Sequence, residues 1–220
     1  MPITVTYTDK IAVLNLGDDE NRFSLSFLDE VNGHLDDIVA EGAGGLVTTG
    51  TGKFYSNGLD LDWLMAHGDQ TQFYVGRVQT LLGRVLALPM PTAAALNGHA
   101  FGAGAMLAVA HDYRIMRVDR GFFCFPEVDI RIPFTTGMAA LIQAKLTPAA
   151  AVASMTTGHR FGGTDAVEFA IVDATATEDA VTDRAVELLT PLGGKDAGTL
   201  GAIKNTMYGP ALAALTASGD

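Results

Sequence analysis

Between Arg84 and Asp112 the chain runs for 27 residues, Val85 to His111, without an acidic or basic side chain other than the neutral rings of His99 and His111, so the fold must bury that stretch. The length would suffice to cross a bilayer, and Gly98 and Gly102 give the GxxxG spacing of packed membrane helices. Pro89, Pro91, Asn97, Gly98, His99, Gly102 and Gly104 interrupt it. They divide it into a helix end, a short strand and a second helix start. The stretch therefore reads as the buried centre of an α/β core.

The flanking patterns agree. Ile3, Val5 and Tyr7, then Ala12, Leu14 and Leu16, alternate on either side of Asp9-Lys10, which predicts a hairpin. Leu28, Val31, Leu35 and Ile38 mark an amphipathic helix, with Ser26 and Asp29 as a capping pair and Gly42 as its stop. Strands are expected at 45–49, 92–96, 113–116 and 122–125, and helices at 71–88 and 102–110. Alternating strands and helices imply a mainly parallel sheet. From Thr135 onward helical patterns dominate, at 135–146, 148–155, 164–170, 181–190 and 201–208.

Composition narrows the function. At 48% hydrophobic and 18% charged residues, 220 residues can bury a sizeable core. A net charge of -11 opposes non-specific binding to nucleic acid or anionic lipid. One cysteine, Cys124, can form neither an internal disulfide nor a thiolate metal cluster, and the five histidines show no metal-ligand spacing. The N-terminus lacks the basic and apolar pattern of a secretory signal.

Several motifs fail on inspection. Gly50-Thr51-Gly52-Lys53-Phe54 follows a strand, but Phe54 and Val47 stand where a phosphate loop needs Ser or Thr and Gly. Gly102-Ala103-Gly104 runs into Ala105-Met106-Leu107 and so lacks the third glycine of a dinucleotide fingerprint. No G-x-S-x-G elbow occurs.

Two glycine turns survive. Tyr55-Ser56-Asn57-Gly58-Leu59-Asp60 and Gly98-His99-Ala100-Phe101-Gly102-Ala103-Gly104 each follow a short buried strand and precede a helix. Unpaired backbone N–H groups at such helix starts could face a developing negative charge. Glycine that merely permits tight packing would give the same pattern.

Phe54 to Leu61 resembles the first oxyanion-loop motif of the crotonase superfamily, the enoyl-CoA hydratase/isomerase family, and Pro91 to Gly104 resembles its second. Phe125-Pro126-Glu127-Val128 is similar to the family's Pro-Glu catalytic turn, and Thr157-Gly158-His159-Arg160 through Asp165-Ala166 to its later helix-turn. The similarity extends from about residue 3 to residue 208. Ser56 to Leu61 and His111 to Phe122 most resemble the Δ3,Δ2-enoyl-CoA isomerases of plant peroxisomes.

The resemblance implies an α/β crotonase-like (ClpP/crotonase) fold of repeated ββα units. A core over 1–160 would hold the acyl-CoA site, and a helical region over 161–220 would support trimerisation. It implies a thioester carbonyl held by the backbone N–H groups of Leu59 and Ala103. Ala103 departs from the more usual glycine, but its N–H is retained. Ser56, Asn57, Gly58, Asp60 and Lys53 would contact substrate or CoA, with Lys204 a second candidate cation for the phosphates. Asp60 is better suited to capping the helix that follows it.

In family hydratases two glutamates activate water; the matching positions here are Glu127 and Met106. Methionine cannot accept a proton, which predicts crippled hydration. A double-bond shift from Δ3 to Δ2 needs one base and an oxyanion hole, and Glu127 could both remove and return the proton. Asp112 and Asp129 are rival carboxylates. Other crotonase reactions, including hydration and thioester hydrolysis, and a non-catalytic acyl-CoA-binding module remain alternatives.

No metal and no cofactor beyond the CoA of the substrate is implied. A homotrimer or two stacked trimers is expected, with the region after Thr135 at the interface. The terminal Ser218-Gly219-Asp220 is not a Ser-Lys-Leu peroxisomal address, which points to a cytoplasmic protein.

Overall fold

The computed structural model describes residues 2–217. Ser218 to Asp220, on which the reading of the cellular address rests, lie outside the described residues. The chain opens with the expected hairpin, β1 (Thr4–Thr8) and β2 (Ile11–Asn15), antiparallel and turned at Asp9, whose φ of +52° is left-handed. Helix α1 (Leu25–Ala40) buries Phe27, Leu28, Val31, Leu35 and Ile38. Its N-cap is Ser24, which accepts from the N–H of Phe27, rather than Ser26. The sequence pattern begins at Leu28, but the helix starts a turn earlier because Ser24 satisfies the first free donors.

β3 (Gly45–Thr49) is buried along its length and leads to the short β4 (Phe54–Ser56) and α2 (Leu61–Ala66). α3 (Thr71–Leu86) follows, then β5 (Thr92–Leu96), β6 (His99–Phe101) and α4 (Ala103–Ala110). Every residue of α4 is buried, so the uncharged stretch is the centre of the protein. Among the described residues no helix is long and apolar enough to cross a membrane.

β7 (Tyr113–Arg117), β8 (Phe123–Cys124) and α5 (Glu127–Ile130) complete the central region. α6 (Thr136–Lys145), α7 (Pro148–Thr157) and α8 (Gly163–Glu168) follow. Then come β9 (Ala174–Ala176), α9 (Val181–Leu189), α10 (Ala197–Met207) and α11 (Gly209–Thr216).

The strands form two sheets. The larger has the order β1-β2-β3-β5-β7-β9 and is parallel except for the opening hairpin. Its last strand, β9, comes from the helix-rich second half. The smaller sheet, β4-β6-β8, is wholly parallel. All three of its strands therefore end on the same side, and each C-terminal end delivers one loop there: 57–60 after β4, Gly102 after β6, and Phe125-Pro126 after β8.

Candidate active site

The first loop is fixed from beneath. The Gly58 carbonyl accepts from Phe23 N–H at 2.8 Å. The buried Tyr74 hydroxyl accepts from Asp60 N–H at 2.8 Å and donates to the Phe23 carbonyl at 2.9 Å. Asp60 Oδ1 accepts from Trp63 N–H at 3.1 Å, so this side chain caps α2. Ser56, fully buried, donates to the Asn21 carbonyl and accepts from Gly58 N–H. Its hydroxyl holds the loop in shape and does not line the cavity described below. Asn57 does line it.

The second loop is anchored by Gly102 N–H donating to the Cys124 carbonyl at 3.0 Å. Gly102 has φ +51° and ψ -123°, a conformation costly for any residue with a side chain. Gly104 faces β4 so closely that a Cβ there would stand 2.4 Å from the Ser56 carbonyl oxygen. Ala103 is accommodated between these two constrained glycines and is 1% exposed.

Leu59, Ala103, Gly102 and Glu127 come together on one cavity of about 330 Å³, with Asn57, Phe101 and Ile130 among its other walls. Among the described residues, neither the Leu59 nor the Ala103 N–H has an acceptor. Ala103 is the first residue of α4, so its amide is one of the helix's free N-terminal donors.

Glu127 begins α5 and is 8% exposed. Its Oε2 is buried with no hydrogen-bond partner, an arrangement that is expensive for an ionised carboxylate. Burial raises its pKa from 4.5 to about 7, opposed only by a backbone hydrogen bond. A second cavity, lined by Val128, Ile132, Phe134 and Met155, meets the same carboxyl group.

The other carboxylates are placed elsewhere. Asp129 lies against Gly158, Asp112 is paired with Lys204 at 2.6 Å, and neither lines the cavity. Asp62 does, but it is bound to Arg22 at 3.0 Å. Met106 is buried in α4 and supplies no second carboxylate.

The cations differ from the sequence reading. Lys204 is 4% exposed and committed to Asp112 and the Met90 carbonyl, which removes it as a free phosphate contact. Lys53 is exposed, with its ammonium 5.1 Å from the centroid of the Phe54 ring, and does not line the cavity. Arg22, which the sequence reading passed over, does line it and is held by Glu20 and Asp62. Its place follows from the bridge between Arg22 and Gly58, which no local sequence pattern records. His99 packs at a tilt against the Phe54 and Phe101 rings and accepts from Phe122 N–H, outside the cavity.

Comparison with known proteins places this geometry in context. The family model described as enoyl-CoA hydratase/isomerase matches residues 7–218. Enoyl-CoA delta isomerase 3 of Arabidopsis thaliana is 39% identical over 184 residues, covering 80% of this chain and 76% of that protein. A probable enoyl-CoA hydratase, EchA3, of Mycobacterium tuberculosis is 26% identical. It superposes with a TM-score of 0.92 over 99% of this chain and 93% of that one. Human mitochondrial delta3-delta2-enoyl-CoA isomerase shares the fold, with a TM-score of 0.87 at 22% identity over 97% of this chain and 85% of that one. The chain therefore belongs to the enoyl-CoA hydratase/isomerase family.

Proposed function

We propose that the protein shifts the double bond of a 3-enoyl-CoA to the 2-position, with Glu127 as the single acid and base. The carrying observation is that Glu127, with its buried and unpartnered Oε2, shares a cavity with the free amides of Leu59 and Ala103. In this reading the thioester oxygen accepts hydrogen bonds from both amides. The Glu127 carboxylate takes a proton from C2, and electrons move from the C2–H bond into the thioester, whose oxygen gains negative charge. The two amides stabilise that dienolate. The same carboxyl group then delivers the proton to C4, the double bond settles between C2 and C3, and the glutamate is ionised again. A pKa near 7 suits both halves of the cycle.

Asn57 and Arg22 support binding of the CoA moiety in this reading, with Arg22 exchanging a carboxylate partner for a phosphate. CoA enters as part of the substrate, and no further cofactor takes part. Assembly as a homotrimer, or two stacked trimers, is supported by the exposed apolar side chains Val152, Val167 and Phe169 in the region after Thr135. A cytoplasmic location belongs to the same proposal.

Steady-state assay of the wild-type protein with 3-enoyl-CoA and with 2-enoyl-CoA tests the reading. Conversion of the first with little hydration of the second is expected, because Asp62 is tied to Arg22 and Met106 cannot activate water. Brisk hydration would show that a single carboxylate suffices and would favour a hydratase.

A further inference from the structure

Beside the N-terminal ends of β5 and β7 lies a cavity of about 520 Å³ that the proposed reaction does not use. Its floor includes Pro91 and Asp112, each one residue before a strand (β5 and β7), whereas the active-site loops follow strand C-termini. The volume falls within the usual range for small-molecule sites, roughly 300–1,000 Å³. Leu192 and Leu200 are half-buried on its wall, and Ile203 and Met207 are exposed. Such a surface accommodates an alkyl chain.

Behind the polar end of the cavity, most of the charges are paired. Lys204 is bound to Asp112 at 2.6 Å. The buried Arg114 lies 3.6 Å from Asp173 and donates to the Ile171 and His111 carbonyls. Lys145, half-buried, donates to the Tyr208 hydroxyl at 3.1 Å, lies 4.9 Å from the centroid of the Tyr208 ring, and makes no ion pair among the described residues. Burial, with Arg114 and Lys204 nearby, lowers its pKa to about 8 against the opposing pull of Asp112 and Asp173, which leaves it mostly charged at neutral pH. At the rim, Lys195 adds positive charge, while Asp196 is engaged in capping α10 through Thr199 N–H. A partly desolvated ammonium beside an apolar wall lacks one thing, an anion.

We propose that this cavity binds an aliphatic monocarboxylate, its carboxylate on the Lys145 ammonium and the Tyr208 hydroxyl and its chain along Leu200, Ile203 and Met207. This site shares no lining residue with the Glu127 cavity and does not depend on the isomerase reading.

The full chain, labelled at the isoleucine δ1 and methionine ε methyl groups, is titrated with octanoate and separately with octan-1-ol while methyl NMR spectra are recorded. The Ile203 and Met207 methyls should shift with octanoate, and octan-1-ol should bind at least about tenfold more weakly, the scale of one charge-assisted hydrogen bond. Lys145→Met should lose the same factor and Lys145→Arg should retain binding. The proposal is overturned if the two methyls do not respond to octanoate in the wild-type protein. Equal affinity for octan-1-ol and octanoate overturns it as well, and that comparison stands even where a variant folds poorly.

Discussion

A Cβ on Gly58 would stand 2.8 Å from the amide nitrogen of Ala103 and 2.7 Å from the carbonyl oxygen of Phe101. The two glycine loops are therefore in backbone contact, and the separation of the Leu59 and Ala103 amides depends on the missing side chain. Gly58 also has φ +78°, a region that favours glycine. Gly58→Ala should lower kcat by at least about a hundredfold, the scale of one lost oxyanion donor. Circular dichroism would establish that the variant is folded, and near-normal turnover in a folded protein would show that this spacing does not matter.

Ala103→Pro isolates the second donor. Ala103 is the first residue of α4, a position where proline fits the helix because its missing N–H would have no partner within it. The variant should fold, bind acyl-CoA and lose at least about a hundredfold in kcat. Full activity in the folded variant would remove Ala103 from the proposed oxyanion hole.

The raised pKa of Glu127 makes a prediction about stability. The folded protein holds this proton more tightly than the unfolded chain, so burial is tolerated below about pH 4.5 and becomes progressively costly up to about pH 7. Glu127→Gln removes that cost. The variant should match wild type in acid and exceed it by up to about 3 kcal/mol above pH 7, read from urea unfolding at several pH values. A stability difference independent of pH would mean that Glu127 is not buried in ionised form.

Arg22→Met tests the cation at the cavity wall. Losing a phosphate contact that persists from ground state to transition state should raise KM by roughly tenfold and leave kcat little changed. A fall in kcat with KM unaltered would place Arg22 in the chemistry instead.

Much of this was legible before the structure because long elements announce themselves. The 16-residue α1 and α3 repeat their apolar residues at helical spacing, and β3 is an uninterrupted buried strand. The loops at Gly58 and Gly102 are legible through their resemblance to the family's two oxyanion motifs, because glycine beside a helix start would serve tight packing equally well. β4, β6 and β9, each three residues long, lie outside the expected strands because three residues are too few for a period to emerge. Arg22 escaped notice because its role arises from the long-range pairing of its segment with Gly58, which no local pattern records. Lys204 reads as a free cation for a phosphate, whereas the fold supplies Asp112 from 92 residues away and buries the lysine.

The most direct test of the account is the turnover of 3-enoyl-CoA by Glu127→Gln, measured beside its affinity for acyl-CoA. Glutamine keeps the shape and hydrogen-bonding capacity of the side chain but cannot carry the proton. The account predicts near-normal binding with isomerisation reduced by roughly two to four orders of magnitude. Full isomerase activity in this variant would contradict it and assign the proton transfer to another group.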